Sequence, residues 1–143
     1  MTILPFHLSV PVNSLEKARQ FYTGILDCKE GRSAEMRIDF NFFGHHLVTH
    51  LEPIDASHKT TDIDSFGVKT PCRHFGVVIS LDQFKELATK LYTAKADFYT
   101  EPETVFPGDV KEQNIMLVHD TCGNIVEFKA TPIHGLFAKT KIN

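Results

Sequence analysis

Two periodicities alternate along the chain, and each spells one kind of element. Phe6 to Val12 alternates and branches like a strand, closed by Pro11 and by Asn13-Ser14, which offers a helix N-cap. The period then lengthens: Leu15, Ala18, Phe21, Tyr22 and Ile25 recur at three- and four-residue steps through Leu26, an apolar stripe that packs on a sheet. Glu30-Gly31 turns the chain, with an extra strand near Cys28 to Glu30. Met36 to Phe42 and His46 to Leu51 read as two strands joined around Phe43-Gly44-His45. Residues 53–72 hold Pro53, Pro71 and many Asp, Ser, Thr and Lys residues without period, so they are a connector. The pattern then restarts. His74 to Ser80 is a strand, Leu81 to Leu91 carries an apolar helical stripe, and Asp97 to Tyr99 is a short strand. Pro102 to Gly108 is a loop, Asn114 to Val118 and Ile125 to Ala130 are the last strands, and the tail adds a short apolar element through Ile133, Leu136 and Phe137.

The halves lie over one another. His7-Leu-Ser-Val matches His74-Phe-Gly-Val, and Leu15, Ala18 and Tyr22 match Phe84, Leu87 and Leu91. Aligned by their final hairpins, Gly44 matches Gly123; Glu127 follows its glycine by four residues and His50 follows its own by six, both even steps, so both side chains can share a face. Each half therefore offers a first-strand histidine and a last-strand candidate. The expectation is one α+β domain of two modules, 1–52 and 73–131, with connector 53–72 and tail 132–143.

Length and charge narrow the partners. A chain of 143 residues suits one domain that buries roughly two thirds of its unfolded surface. With 15 basic against 18 acidic residues, a net charge of -3 and no Lys/Arg cluster, a nucleic-acid or acidic-membrane partner is disfavoured. The N-terminus lacks the basic start and apolar core of a signal peptide, and no apolar run reaches the roughly 18 residues of a membrane span, so a cytoplasmic location is expected. Cys28, Cys72 and Cys122 are widely spaced without a CxxC pair and read as reduced thiols, with Cys122 exposed in its turn.

Five stretches resemble the vicinal-oxygen-chelate superfamily, which groups glyoxalase I, type I extradiol dioxygenases, fosfomycin-modifying enzymes and bleomycin-binding proteins. They are Phe6-His-Leu-Ser-Val-Pro-Val12, Leu15-Glu-Lys-Ala-Arg-Gln-Phe-Tyr22, Asp39-Phe-Asn-Phe-Phe-Gly44, His74-Phe-Gly-Val-Val78 and Asp120-Thr-Cys-Gly-Asn-Ile-Val-Glu-Phe128. The resemblance implies two paired βαβββ modules forming a cupped mixed sheet with helices on the outside, and metal ligands on the first and last strands of each module. Carried over by position, it implies His7, His74 and Glu127 as metal ligands, with His50 as a fourth ligand or an acid-base residue. Thr121 and Cys122 depart from the commoner Asp-Pro-Ser-Gly-Asn turn.

Two imidazoles and one carboxylate form the facial triad that leaves positions open on Fe(II), and the same donors suit Mn, Ni, Co or Zn. Three readings follow from the resemblance. In an extradiol-dioxygenase-like enzyme, Fe(II) is chelated by a small catechol-like diol and His50 is the base. In a glyoxalase-I-like isomerase or lyase a fourth protein ligand is needed, and glyoxalase I generally supplies a glutamate where this chain has His50; that mismatch favours the dioxygenase. The third is a metal-free, bleomycin-resistance-like binding protein, against which retention of all four residues argues. Against the first reading stand the single module pair and the lack of a tyrosine in Asn114 to Val118. A homodimer is expected. His46 shares the parity of His50; His45 sits in a turn, and His58, His119 and His134 lie in loops or the tail. Ile38, Phe40 and Phe42 share one face of their strand and Arg37, Asp39 and Asn41 the other: one set is core, the other lines the cup. Phe106 and Lys111 to Gln113 sit where a loop could close over it.

Overall fold

The computed structural model describes residues 2–53 and 60–138. In order, its elements are β1 (His7–Val12), α1 (Leu15–Ala18) running into a π-helical stretch (Arg19–Ile25), β2 (Lys29–Ala34), β3 (Arg37–Phe42), β4 (His45–Leu51), β5 (Asp62–Ser65), β6 (Val68–Pro71), β7 (Phe75–Val78), α2 (Leu81–Thr93), β8 (Phe98–Val105), β9 (Gln113–His119), β10 (Ile125–Ala130) and α3 (Ile133–Leu136). Two four-stranded sheets run β1-β4-β3-β2 and β7-β10-β9-β8, and β5 pairs with β6 in a separate hairpin. In each large sheet the first strand lies parallel to the last, and the other pairings are antiparallel. This is the α+β, twice-repeated βαβββ arrangement that the resemblance implies. Among the described residues no helix is long and apolar enough to cross a membrane.

Three elements differ from their sequence reading. Glu30-Gly31 does not turn the chain; it lies inside β2, where the register with β3 slips between Glu30 and Ser33, so the turn signal is absorbed as a bulge. The strand at Asp97 to Tyr99 runs on through Pro102, which β8 accommodates because it is an edge strand with two register shifts against β9. Within the connector, β5 and β6 form a hairpin around Phe66-Gly67, both at positive φ. Its turn repeats that of β3–β4: Asn41 Oδ1 accepts the Gly44 amide at 2.8 Å and Asp64 Oδ1 accepts the Gly67 amide at 2.8 Å, with Phe43 and Phe66 both left-handed.

α1 is capped by Ser14, whose hydroxyl accepts the Lys17 amide. The bond from the Leu26 amide to the Phe21 carbonyl spans five residues, the signature of the wider π turn. α2 carries a reciprocal cap between Ser80 and Gln83. The buried faces of both helices and both large sheets meet in one apolar cluster that includes Phe21, Tyr22, Phe40, Leu91, Val126 and Phe128. Ring contacts cross between the modules, Phe42 with Phe75 at 5.7 Å and Phe43 with Phe128 at 5.8 Å.

Polar ties cross the same boundary. Asp120 is fully buried and accepts the Tyr22 hydroxyl at 2.8 Å, the backbone amides of Cys122 and Asn124, and the Asn124 side-chain amide; that amide also donates to the Pro11 carbonyl at 2.9 Å. Burial, and after it the Asp120 carboxylate, pushes the Tyr22 hydroxyl well above its ordinary range, so it remains a donor. The same turn corrects the expectation for Cys122. Asp120 draws its backbone inward, the thiol is buried with Sγ 3.5 Å from the Ser14 carbonyl, and burial pushes it up to about 11. Cys72 is the exposed cysteine.

Tyr22→Phe keeps the ring and deletes the donor to a buried carboxylate, so it is expected to cost about 1 to 3 kcal/mol in urea unfolding, with the fold retained. An unchanged midpoint would show that the hydroxyl does not tie the modules.

Candidate metal centre

The parallel pairing of β7 with β10 sets Gly76 opposite Glu127, and His74 stands two residues before Gly76. His74 Nδ1 donates to the Pro71 carbonyl at 2.7 Å, which turns Nε2 toward Glu127 Oε2 at 3.1 Å. Glu127 is 14 % exposed, with Lys129 Nζ 3.5 Å from its other oxygen. The hydrogen bond to Glu127 raises the His74 imidazole above its ordinary value against the opposing effect of burial. Burial alone would raise Glu127, but His74 and Lys129 hold it below the usual carboxylate range. A Cβ at position 76 would overlap the Glu127 carbonyl oxygen, so only glycine lets β7 lie this close to β10.

The first module sets a different pair. β1 against β4 places His7 opposite His46, Ser9 opposite Val48 and Pro11 opposite His50. His7 Nδ1 and His46 Nδ1 are 2.9 Å apart, and His46 Nε2 is 3.2 Å from Asp39 Oδ2. Asp39, 3 % exposed, also receives Arg32 Nε at 3.0 Å and lies 3.4 Å from the Arg37 guanidinium. Burial would raise its carboxyl, but the hydrogen bonds from His46 and Arg32 and the two guanidinium charges hold it low. Ile38, Phe40 and Phe42 are the core set of β3, leaving Arg37, Asp39 and Asn41 on the face that His7 and His46 share.

The four residues singled out from sequence therefore separate. His74 meets Glu127 and His7 meets His46, but among the described residues no three His, Cys, Asp or Glu side chains converge closely enough for a metal. His50 is exposed on the His7 face, two residues beyond Val48. Register explains the offset. Glu127 stands opposite the residue two after His74, and the residue opposite the second after His7 is Val48, so the position equivalent to Glu127 carries an apolar side chain. His46 and Asp39 are the site residues that sequence reasoning ranked low or left unassigned; the signal available was their parity, which becomes decisive only once parallel pairing fixes His46 against His7. His45 Nδ1 lies 3.3 Å from the Phe6 amide, His119 packs edge-on to Tyr99, His134 lies in α3, and His58 lies outside the described residues.

One wall of the Glu127 face is also built. Ile115, Leu117 and Ile125, buried on that face, pack under Val68, Tyr99 and Phe106, so β6 and the 106–112 loop cover it. Lys111 Nζ sits 4.8 Å and 4.9 Å from the ring centres of Phe66 and Phe106 and clamps hairpin to loop.

The model of the Glyoxalase/Bleomycin resistance protein/Dioxygenase superfamily matches residues 5–128. The chain belongs to that superfamily. Among solved structures, a glyoxalase/bleomycin resistance protein/dioxygenase from Alicyclobacillus acidocaldarius is 29% identical with a TM-score of 0.75, over 94% of this chain and 96% of that one. The fosfomycin resistance protein FosX from Listeria monocytogenes has 14% identity and a TM-score of 0.69 over 94% of this chain and 98% of that one. A glyoxalase/dioxygenase from Nostoc punctiforme has 18% identity and a TM-score of 0.60 over 88% and 89%. No curated protein matches the chain.

The superfamily includes enzymes, and the donor chemistry of this member fits a divalent metal in part. His74 anchored through Nδ1 presents Nε2 to a carboxylate, a pairing that needs a shared cation: a proton here, or a metal bound by both. Among the described residues this pair has no third His, Cys, Asp or Glu beside it.

Gly76→Ala is expected to force β7 from β10, lowering unfolding free energy by about 3 kcal/mol or more. Gly31→Ala, whose Cβ meets the Asp39 carbonyl at an ordinary 3.5 Å, is the comparison and is expected to stay within about 1 kcal/mol. Equal losses would mean that the close approach at Gly76 is not what fixes the strand pair.

Proposed function

We propose that this chain is a metal-dependent enzyme of the vicinal-oxygen-chelate type that carries out extradiol-dioxygenase-like oxidation of a small catechol-like diol. His7, His74 and Glu127 are its ligands, Fe(II) the favoured metal, and the centre is completed between two copies, His7 of one joining His74 and Glu127 of the other. What supports this reading is the two-plus-one separation of the donors, together with Val48 at the fourth equivalent position. A valine cannot ligate. A three-ligand centre keeps the open coordination that a chelating diol and oxygen require, whereas a glyoxalase-type centre needs a fourth protein donor.

When bound, the metal supplies Lewis-acid polarisation of the diol and open positions for oxygen. The remaining work falls to the chain. His74 is held by the Pro71 carbonyl, so its ligating nitrogen costs little to orient. His50 lies roughly 7 Å along β4 from Val48 by strand rise, and in this reading it is the base that takes a proton from a hydroxyl of the bound diol rather than a fourth ligand. Val68, Tyr99 and Phe106 cover the apolar Ile115, Leu117 and Ile125 that lie beside Glu127 on the same face.

Anaerobic Fe(II) reconstitution tests the ligand set. Iron is expected to be lost in His7→Ala, His74→Ala and Glu127→Ala and kept in His50→Ala, which should lower oxygen uptake on catechols by about 100-fold or more. Dimers formed by mixing His7→Ala with Glu127→Ala chains should regain about a quarter of the wild-type iron, since half of a random mixture is hybrid and each hybrid holds one intact centre of two. Absence of recovery contradicts a shared centre. Loss of metal in His50→Ala would favour the four-ligand, glyoxalase-type alternative, and no metal under any condition a bleomycin-resistance-like binding protein.

A further inference from the structure

His7, His46 and Asp39 form a chain of contacts in which, with both imidazoles neutral, each proton position follows from the next. An ionised carboxylate only accepts, and Arg32 and Arg37 beside Asp39 keep it ionised. The His46 atom facing it at 3.2 Å is Nε2, which must therefore carry hydrogen. A neutral imidazole has one N–H, so His46 Nδ1 is a lone pair. That lone pair faces His7 Nδ1 at 2.9 Å, and two lone pairs at this distance repel; His7 must donate through Nδ1. Its only remaining lone pair is then on Nε2.

We infer that Asp39 and His46 are positioning residues that hold His7 in the Nδ1–H tautomer and leave Nε2 as its one nitrogen free to bind a metal. The tautomer is a property of the single chain; its consequence for metal rests on the ligand role given to His7 above. The arrangement parallels that of the other half, where the Pro71 carbonyl does for His74 what His46 does for His7, engaging Nδ1 and leaving Nε2 to face Glu127. The two halves reach one result with different acceptors. Asp39 is buried, so the relay ends in a carboxylate that water scarcely reaches.

Proton–nitrogen correlation spectra of metal-free protein carrying isotope-labelled histidine read both tautomers directly, at about pH 8.5, two units above the ordinary histidine range. His7 is expected as Nδ1–H and His46 as Nε2–H. His46→Leu should release His7 to exchange between tautomers and weaken Zn or Fe(II) binding by about 10- to 100-fold. His46→Asn places an amide oxygen where Nδ1 was and should restore both the His7 tautomer and the affinity, a rescue that a merely space-filling role for His46 does not predict. Finding His7 as Nε2–H in the wild type, or an unchanged His7 signal in His46→Leu, overturns the inference. Wild type that binds no metal yet shows His7 as Nδ1–H supports the tautomer relay while removing the proposed ligand role.

Discussion

The parallel pairing of first and last strands within each module is the constraint on which the rest of the structure depends. It sets a first-strand histidine beside the last strand, and the residue that strand presents decides what the histidine can do. In the second module the neighbour is Glu127, brought close because Gly76 has no side chain. In the first it is His46, with Val48 in the position equivalent to Glu127. One topology, used twice, thus yields a histidine–carboxylate pair in one half and a histidine–histidine pair in the other.

The two halves are kept in fixed relation by a single core and by the buried hub at Asp120. Tyr22 from the first module and Asn124 from the second converge on that carboxylate, and Asn124 reaches on to the β1 backbone at Pro11. Because the helix-facing sides of both sheets are spent on this shared core, the faces that carry His7 and Glu127 are left for other work. That division accounts for the failure of the three candidate ligands to meet among the described residues of one chain.

Much of this was legible in the sequence. The repeat offsets, the helical stripes and the alternation of Ile38, Phe40 and Phe42 are direct consequences of burial, and burial is what periodicity records. What escaped were features set by pairing. The β5–β6 hairpin is short and its strands mostly solvent-facing, so it has no apolar period; its sign was the turn Asp64-Ser-Phe-Gly67, a near copy of Asn41-Phe-Phe-Gly44. The Glu30-Gly31 bulge looks locally like a turn. Among the candidate residues, the meeting of His74 with Glu127 was legible because both lie in stretches that carry the resemblance. The meeting of His7 with His46 was not, since parity puts His46 and His50 on one face and only register distinguishes them.

The proposed three-ligand metal centre shared between copies would be visible in an anomalous-difference map from crystals grown anaerobically with Fe(II). One peak per chain is expected, bonded to His74 Nε2 and Glu127 of one copy and to His7 Nε2 of its neighbour, with no protein atom on the Val48 side. A peak ligated by His50, or one confined to groups of a single chain, would contradict the shared centre.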